Sequence, residues 1–125
     1  MREILATALI LLLLLISAWN IHRVDTLSEK ILLQLSQAES SAFSDDWAGS
    51  AQYFEKALGL WEQAEAYSHV FIRHPEIDSC SDAFYDMEQS ILSEDTGDMQ
   101  AAFHKLRHHI LSIAGMEKIR IGNIL

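Results

Sequence analysis

The first part of the chain is one long apolar segment that contains no charged residue. It runs from Ile4 to Ile21 and consists mostly of leucine, isoleucine and alanine. As a helix, at about 1.5 Å per residue, it would be roughly 27 Å long, close to the thickness of the hydrocarbon core of a bilayer. Trp19 stands near its end, where interfacial aromatic residues lie. We therefore predict a transmembrane anchor over residues 1-22, with membrane contact through residues 4-21.

A cleaved secretory signal is the alternative interpretation of this segment. Such a signal has a shorter apolar core and small residues at both positions of an A-x-A cleavage site, whereas Ile16 lies two positions before Ala18. The anchor is therefore favoured. The positive charges on the two sides nearly balance, with Arg2 before the segment and Arg23 after it. Because a short N-terminal tail usually stays in the cytoplasm, we expect a single-pass protein of the cell membrane with an extracytoplasmic domain.

Beyond residue 22 the apolar positions recur every three or four residues, which is the period of a helix. No segment shows the alternation of a strand. There are four such stripes: Val24, Leu27, Ile31, Leu35 and Ala38; Trp47, Ala51, Phe54, Leu58, Trp61, Ala64 and Phe71; Ile77, Cys80, Phe84, Met87 and Ile91; and Met99, Phe103, Leu106, Ile110 and Ile113. The pattern predicts an all-α fold, in which the anchor continues into an antiparallel bundle of about four helices over residues 23-125.

Local signals place the helix boundaries. Ser44, Asp45 or Asp46 can cap the second helix, and Pro75 suits the first turn of a third helix that ends near Leu92. A turn with a capping residue follows at residues 93–98. Gly115 is in the position of a C-cap glycine, so we expect the fourth helix to end there and residues 116–125 to form a short tail.

The second helix and the arrangement in pairs add two expectations. Gly49 and Gly59 each disfavour a helix interior by about 1 kcal/mol, so we expect close packing or a bend at these points. Each predicted hairpin joins an acidic turn to a large apolar stripe, which gives the pair a weak tetratricopeptide-like character without the 34-residue period.

Composition narrows the range of partners. The 125 residues carry a net charge of −9, with only 9 lysine and arginine residues, which argues against nucleic acid as a partner. Cys80 is the single cysteine, so the chain has no internal disulfide, and its position on an apolar stripe predicts a buried core residue.

Features along the whole chain resemble a protein family. They are Asp46-Trp47 at the start of an aromatic helix, Trp61 near its middle, the segment Phe71-Ile72-Arg73-His74-Pro75-Glu76-Ile77-Asp78, and the sequence Ile121-Gly122-Asn123-Ile124-Leu125. This order is similar to that of small single-pass bacterial membrane proteins of domain-of-unknown-function family 4363. The resemblance implies membrane anchorage and a helical architecture, but no activity.

Several side chains are candidates for chemistry, and each has a simpler structural role. His104 and His108 are four residues apart on one helix and could share a metal ion, but two ligands do not complete a zinc site. His74 and the acids after it are better explained as helix-capping groups than as an acid–base pair. The acidic residues of the two turns are expected to be solvated caps: Asp45, Asp46, Glu94, Asp95 and Asp98.

These observations favour a membrane-anchored, non-enzymatic helical domain that acts as a protein-interaction or scaffold module, with no cofactor. The partner would be another membrane protein or a second copy of the chain. The aromatic stripe supplies the partner-binding candidates Trp47, Phe54, Trp61 and Phe71, provided that the bundle leaves them uncovered. The alternative is a ligand- or ion-sensing ectodomain that binds a small molecule between helices, with His104 and His108 as its polar groups.

Overall fold

The computed structural model of the chain describes residues 1–71 and 75–124, and it describes their side chains except at residues 20, 21, 24, 25, 67–71, 75, 76 and 116–124. Within these ranges there is no strand, and the all-α prediction is confirmed. The four helices are α1 (Arg2–Phe43), α2 (Trp47–Phe71), α3 (Pro75–Leu92) and α4 (Thr96–Ile124). The predicted connection at Arg73 and His74 lies outside the described residues.

Helix α1 serves two parts of the molecule. It is 42 residues long and contains neither proline nor glycine, so nothing in its sequence interrupts the hydrogen-bond ladder. Its first 18 residues, Arg2–Trp19, are apolar and long enough to cross a membrane, and none is buried by the protein. Further along, Ile31, Leu35 and Ala38 are buried. One helix therefore joins the exposed apolar segment to the core.

The four helices form a bundle in which α1 packs against α2 and α4, and α3 packs against α4 and α2. The two turns lie at the same end. Phe84 stands about ten residues before the turn of its own hairpin, and its ring contacts that of Phe54, about ten residues after the other turn, at 6.0 Å. Equal distances from the two turns place both turns at one height. Cys80 is buried in the shared core, as predicted.

Helix α4 corrects the sequence-based boundary. It does not end at Gly115 but continues to Ile124, and Gly115 does not have a positive φ. Glycine marks a helix end only when it adopts the left-handed conformation. Here Ala114 is buried and Ile113 packs against the core, so tertiary packing holds the helix through the glycine.

The glycines of α2 behave differently from each other. A Cβ on Gly59 would meet nothing within 4 Å, so the expected close packing is absent there. A Cβ on Gly49 would meet the carboxylate of Asp46. The close approach predicted for glycine therefore occurs at the start of the helix, against its own capping residue.

The two hairpins repeat at a spacing of 49 residues, not the 34 of tetratricopeptide proteins. Eight buried positions of the first hairpin correspond, 49 residues later, to eight buried positions of the second. The pairs are Ile31 and Cys80, Leu35 and Phe84, Ala38 and Met87, Ala42 and Ile91, Ser50 and Met99, Phe54 and Phe103, Ala57 and Leu106, and Trp61 and Ile110. The bundle is thus built from two equivalent halves related by an approximate twofold axis along the helices.

Candidate functional site

The two turns at one end of the bundle have the same hydrogen-bond pattern. In the first, the amide of Asp46 donates to the carbonyl of Ser41 and the amide of Asp45 to that of Ala42. In the second, the bonds run from Asp95 to Ser90 and from Glu94 to Ile91. Each pair is a Schellman motif, which satisfies the last carbonyls of the preceding helix.

An aspartate caps the helix that follows each turn. The Oδ1 atom of Asp46 accepts a hydrogen bond from the amide of Gly49 at 2.9 Å, and that of Asp95 accepts one from the amide of Asp98 at 3.0 Å. Both carboxylates also lie at the positive end of a helix dipole. The predicted capping role of the turn acids therefore holds for these two residues.

The residue before each cap is held in an unusual conformation. Asp45 and Glu94 have φ values of 61° and 53° and are the non-glycine residues with positive φ in the described chain. This is the position that glycine normally takes, since a Cβ there costs roughly 1–2 kcal/mol. Asp45 recovers part of this cost because its Oδ1 accepts a hydrogen bond from Trp47 Nε1 at 3.1 Å.

A large apolar side chain is exposed beside each turn. Phe43 ends α1 and is 55% exposed, and Leu92 ends α3 and is 69% exposed. They are equivalent residues of the two halves, so the feature occurs twice. We call Phe43, Asp45, Leu92 and Glu94 the turn surface.

The surroundings of the turn surface are acidic. No lysine or arginine occurs between Ile31 and Glu55 or between Pro75 and His104. Asp98 is also exposed here, next to the second turn. The end of the bundle away from the apolar segment of α1 therefore combines two exposed apolar side chains with negative charge.

The structure separates the aromatic partner-binding candidates. Phe54 and Trp61 are core residues, 3% and 5% exposed, and the Trp61 ring stacks on Phe84 at 5.6 Å. Trp47 is half-buried at the turn, and the side chain of Phe71 lies outside the described residues. Of the four, Trp47 is therefore the one with a described position near the turn surface.

The turn surface was not found from the sequence. Phe43 and Leu92 lie off the three-four stripes, directly before a serine and two acids. An apolar residue between the end of a stripe and an acidic turn was the available signal.

His104 and His108 are both exposed on α4. The ring of His104 lies against Phe103, and that of His108 lies 5.8 Å from that of His109. Among the side chains that the structure describes, no three histidine, cysteine, aspartate or glutamate residues come together as metal ligands.

An open groove of about 480 Å³ runs between α3 and α4. Asp86 and Asp98 line it opposite the positive charge of Lys105. The groove opens broadly to solvent and has no apolar floor of the kind that binds most small ligands.

The apolar segment of α1 ends in a pair of groups suited to a membrane interface. Trp19 is exposed, and the guanidinium of Arg23, one turn later, lies over its ring at 5.5 Å. Tryptophan and arginine both favour the headgroup layer, where an aromatic face meets lipid and a cation meets phosphate.

The architecture can now be compared with known families. The family model named Domain of unknown function (DUF4363) matches residues 18–124. The chain belongs to this family. The DUF4363 match begins next to Trp19 and includes both hairpins and the full length of α4, so the family is defined by the bundle, and most of the apolar segment precedes the match. Neither the curated proteins nor the solved structures contain a match to the chain.

Proposed function

We propose that this DUF4363 protein is a membrane-anchored, non-enzymatic interaction module that presents its turn surface to a partner protein outside the cytoplasm. The observation that carries the proposal is the continuity of α1. Its first 18 residues are apolar and wholly exposed, and the same helix supplies Ile31 and Leu35 to the core. An exposed apolar helix of this length requires a lipid environment.

The continuous helix also sets the height of the turn surface. From Trp19 to Phe43 a helix rises about 36 Å, at about 1.5 Å per residue. The turn surface is then the part of the domain farthest from the membrane. This placement supports contact with the extramembrane part of another membrane protein.

The chemistry of the turn surface indicates the kind of partner. Phe43 and Leu92 lose water contact favourably when they enter apolar pockets, and aromatic side chains are frequent anchors of interfaces. The acids around them favour a partner with basic groups at the rim, because complementary charge speeds encounter and fixes orientation. A second copy of the chain would bring like charges together, so a different, basic partner is the stronger proposal.

Copurification with a matched pair of variants tests this function. The protein is extracted in mild detergent after cross-linking in the membrane, and the cross-linked species are compared between the wild type and the F43S/L92S variant. We expect loss of the specific cross-linked species, with helical content and melting temperature unchanged, because both side chains are already exposed. The control is L33S/L111S, which removes two other exposed leucines from the sides of the bundle.

Two outcomes would contradict the proposal. Equal loss in the control would show that exposed apolar area in general drives the association. An unchanged pattern in F43S/L92S would place the partner contact elsewhere.

A further inference from the structure

Helix α4 extends well beyond its neighbour α3. The two form a hairpin, and α3 begins at Pro75, about 18 residues before the turn. The α4 residue at the same distance after the turn is Ala114. Residues 115–124 therefore run past the start of α3 for roughly 15 Å, toward the end of the bundle where α1 leaves it.

The 49-residue repeat gives the height at which this extension ends. Because the approximate twofold axis runs along the helices, an α4 residue has the height of the α2 residue numbered 49 lower. Arg120 thus stands level with Phe71 of α2. Since α2 and α1 form a tight hairpin around Asp45, Phe71 in turn stands level with about Trp19 of α1. Helix α4 packs against α1, so the extension runs alongside the helix that enters the membrane.

The sequence of the extension matches that level. Residues 116–124 read Met-Glu-Lys-Ile-Arg-Ile-Gly-Asn-Ile, in which the basic residues Lys118 and Arg120 come before Ile121 and Ile124. On the height scale above, the two basic residues stand at the level of Trp19 and Arg23, and the two isoleucines at or below Ala18. This order, cation first and apolar residue deeper, is the order of groups across a bilayer interface.

We propose that residues 116–124 of α4 lie in the interface of the bilayer that α1 crosses, where Lys118 and Arg120 bind the phosphates of anionic lipid headgroups and Ile121 and Ile124 reach the acyl chains. The proposal rests on the anchorage proposed above. It adds a second membrane contact, made by the DUF4363 bundle itself. Two contact points, α1 and α4, restrain the tilt of the bundle, which a single helix crossing would leave free.

Depth-dependent quenching in the full-length protein tests this inference. Cysteine is introduced at one position at a time, labelled with a fluorophore and reconstituted in phosphatidylcholine vesicles with or without phosphatidylglycerol. The labelled variants are I121C in the extension, L111C higher on the same helix, and L12C in the apolar segment. Wild-type protein, whose Cys80 is buried, gives the baseline for labelling.

We expect the label at position 121 to be quenched by nitroxide placed at headgroup depth on the lipid, and more strongly when phosphatidylglycerol is present. The label at position 111 should respond to aqueous iodide instead. In the I121C protein, the K118Q/R120Q changes should shift the label toward iodide, since each basic residue favours the anionic surface about fivefold. The matched control K105Q/R107Q removes two exposed basic residues higher on α4 and should leave the quenching unchanged.

The label at position 12 separates the two proposals. If it is quenched by nitroxide deep in the acyl chains while position 121 responds only to iodide, the contact through α4 is refuted and the anchor stands. If position 12 also responds only to iodide, the anchor itself fails.

Discussion

At the scale of single residues, the most unusual feature is the pair of acids in the left-handed conformation. Glycine adopts φ values near 60° without steric cost, whereas a side chain does not. A Schellman motif would therefore be more stable with glycine at Asp45 and Glu94. Both halves of the molecule carry an acid instead, and both acids lie on the turn surface. Their retention is explained if the charge serves the partner contact.

The glycine variants of these turns should be more stable than the wild type. We expect E94G to raise the free energy of unfolding by about 1 kcal/mol, because the strain is relieved and no hydrogen bond of Glu94 is lost among those described. D45G should gain less, since it loses the bond from Trp47 Nε1. Denaturant unfolding in detergent, followed by circular dichroism, measures both values.

The neighbouring Ser44 provides the control for this prediction. Its φ is −88°, where glycine offers no steric advantage and only adds freedom to the unfolded chain. S44G should therefore destabilise the protein. A loss of stability in E94G similar to that in S44G would refute the strain at position 94.

Sequence patterns were informative at this scale where the determinant is local. The capping aspartates Asp46 and Asp95 and the buried Cys80 follow from neighbouring residues and from helical spacing. Exposure depends on how the helices are arranged, so the aromatic stripe of α2 alone could not show that Phe54 and Trp61 face the core. Phe43 and Leu92 were missed for the same reason.

At the scale of the helices, the starts were easier to predict than the ends. Pro75 and the caps at the turns define starts through geometry that one or two residues determine. Gly115 is ambiguous, because glycine is compatible with both a helix end and a helix interior. The contacts of the preceding turn with the core decide between them, and those contacts connect residues far apart in sequence.

A substitution at Gly115 tests the extent of α4 with opposite signs for the two alternatives. In a continuous helix with no neighbour within 4 Å of the added Cβ, G115A should stabilise the protein by about 1 kcal/mol. At a left-handed helix end the same change would destabilise it by a similar amount. Thermal or denaturant unfolding gives the sign.

Gly59 is the matched control for this measurement, because it lies in the middle of α2 under both alternatives and its added Cβ would also meet nothing within 4 Å. We expect G59A and G115A to stabilise the protein to a similar degree. Stabilisation by G59A together with destabilisation by G115A would mean that α4 ends near residue 115, and the interfacial extension would then be lost.

At the scale of the whole molecule, the repeat explains how a short chain produces a polar arrangement of functions. Each half begins with a helix that rises to the turn surface and ends with one that descends. The rising helix of the first half carries the apolar segment, and the descending helix of the second half carries the basic and apolar extension. One end of the bundle is thereby suited to lipid and the opposite end to a protein partner.

This arrangement requires the domain and the N-terminal tail to lie on opposite sides of the membrane. We expect a membrane-impermeant maleimide to label Q52C, at an exposed site on α2, in intact cells, and to label E3C only after the cells are permeabilised. Wild-type protein should remain unlabelled until it is denatured, because Cys80 is buried. The reverse pattern would place the turn surface in the cytoplasm, and recovery of unlabelled, membrane-free protein that lacks residues 1–18 would show that the segment is a cleaved signal.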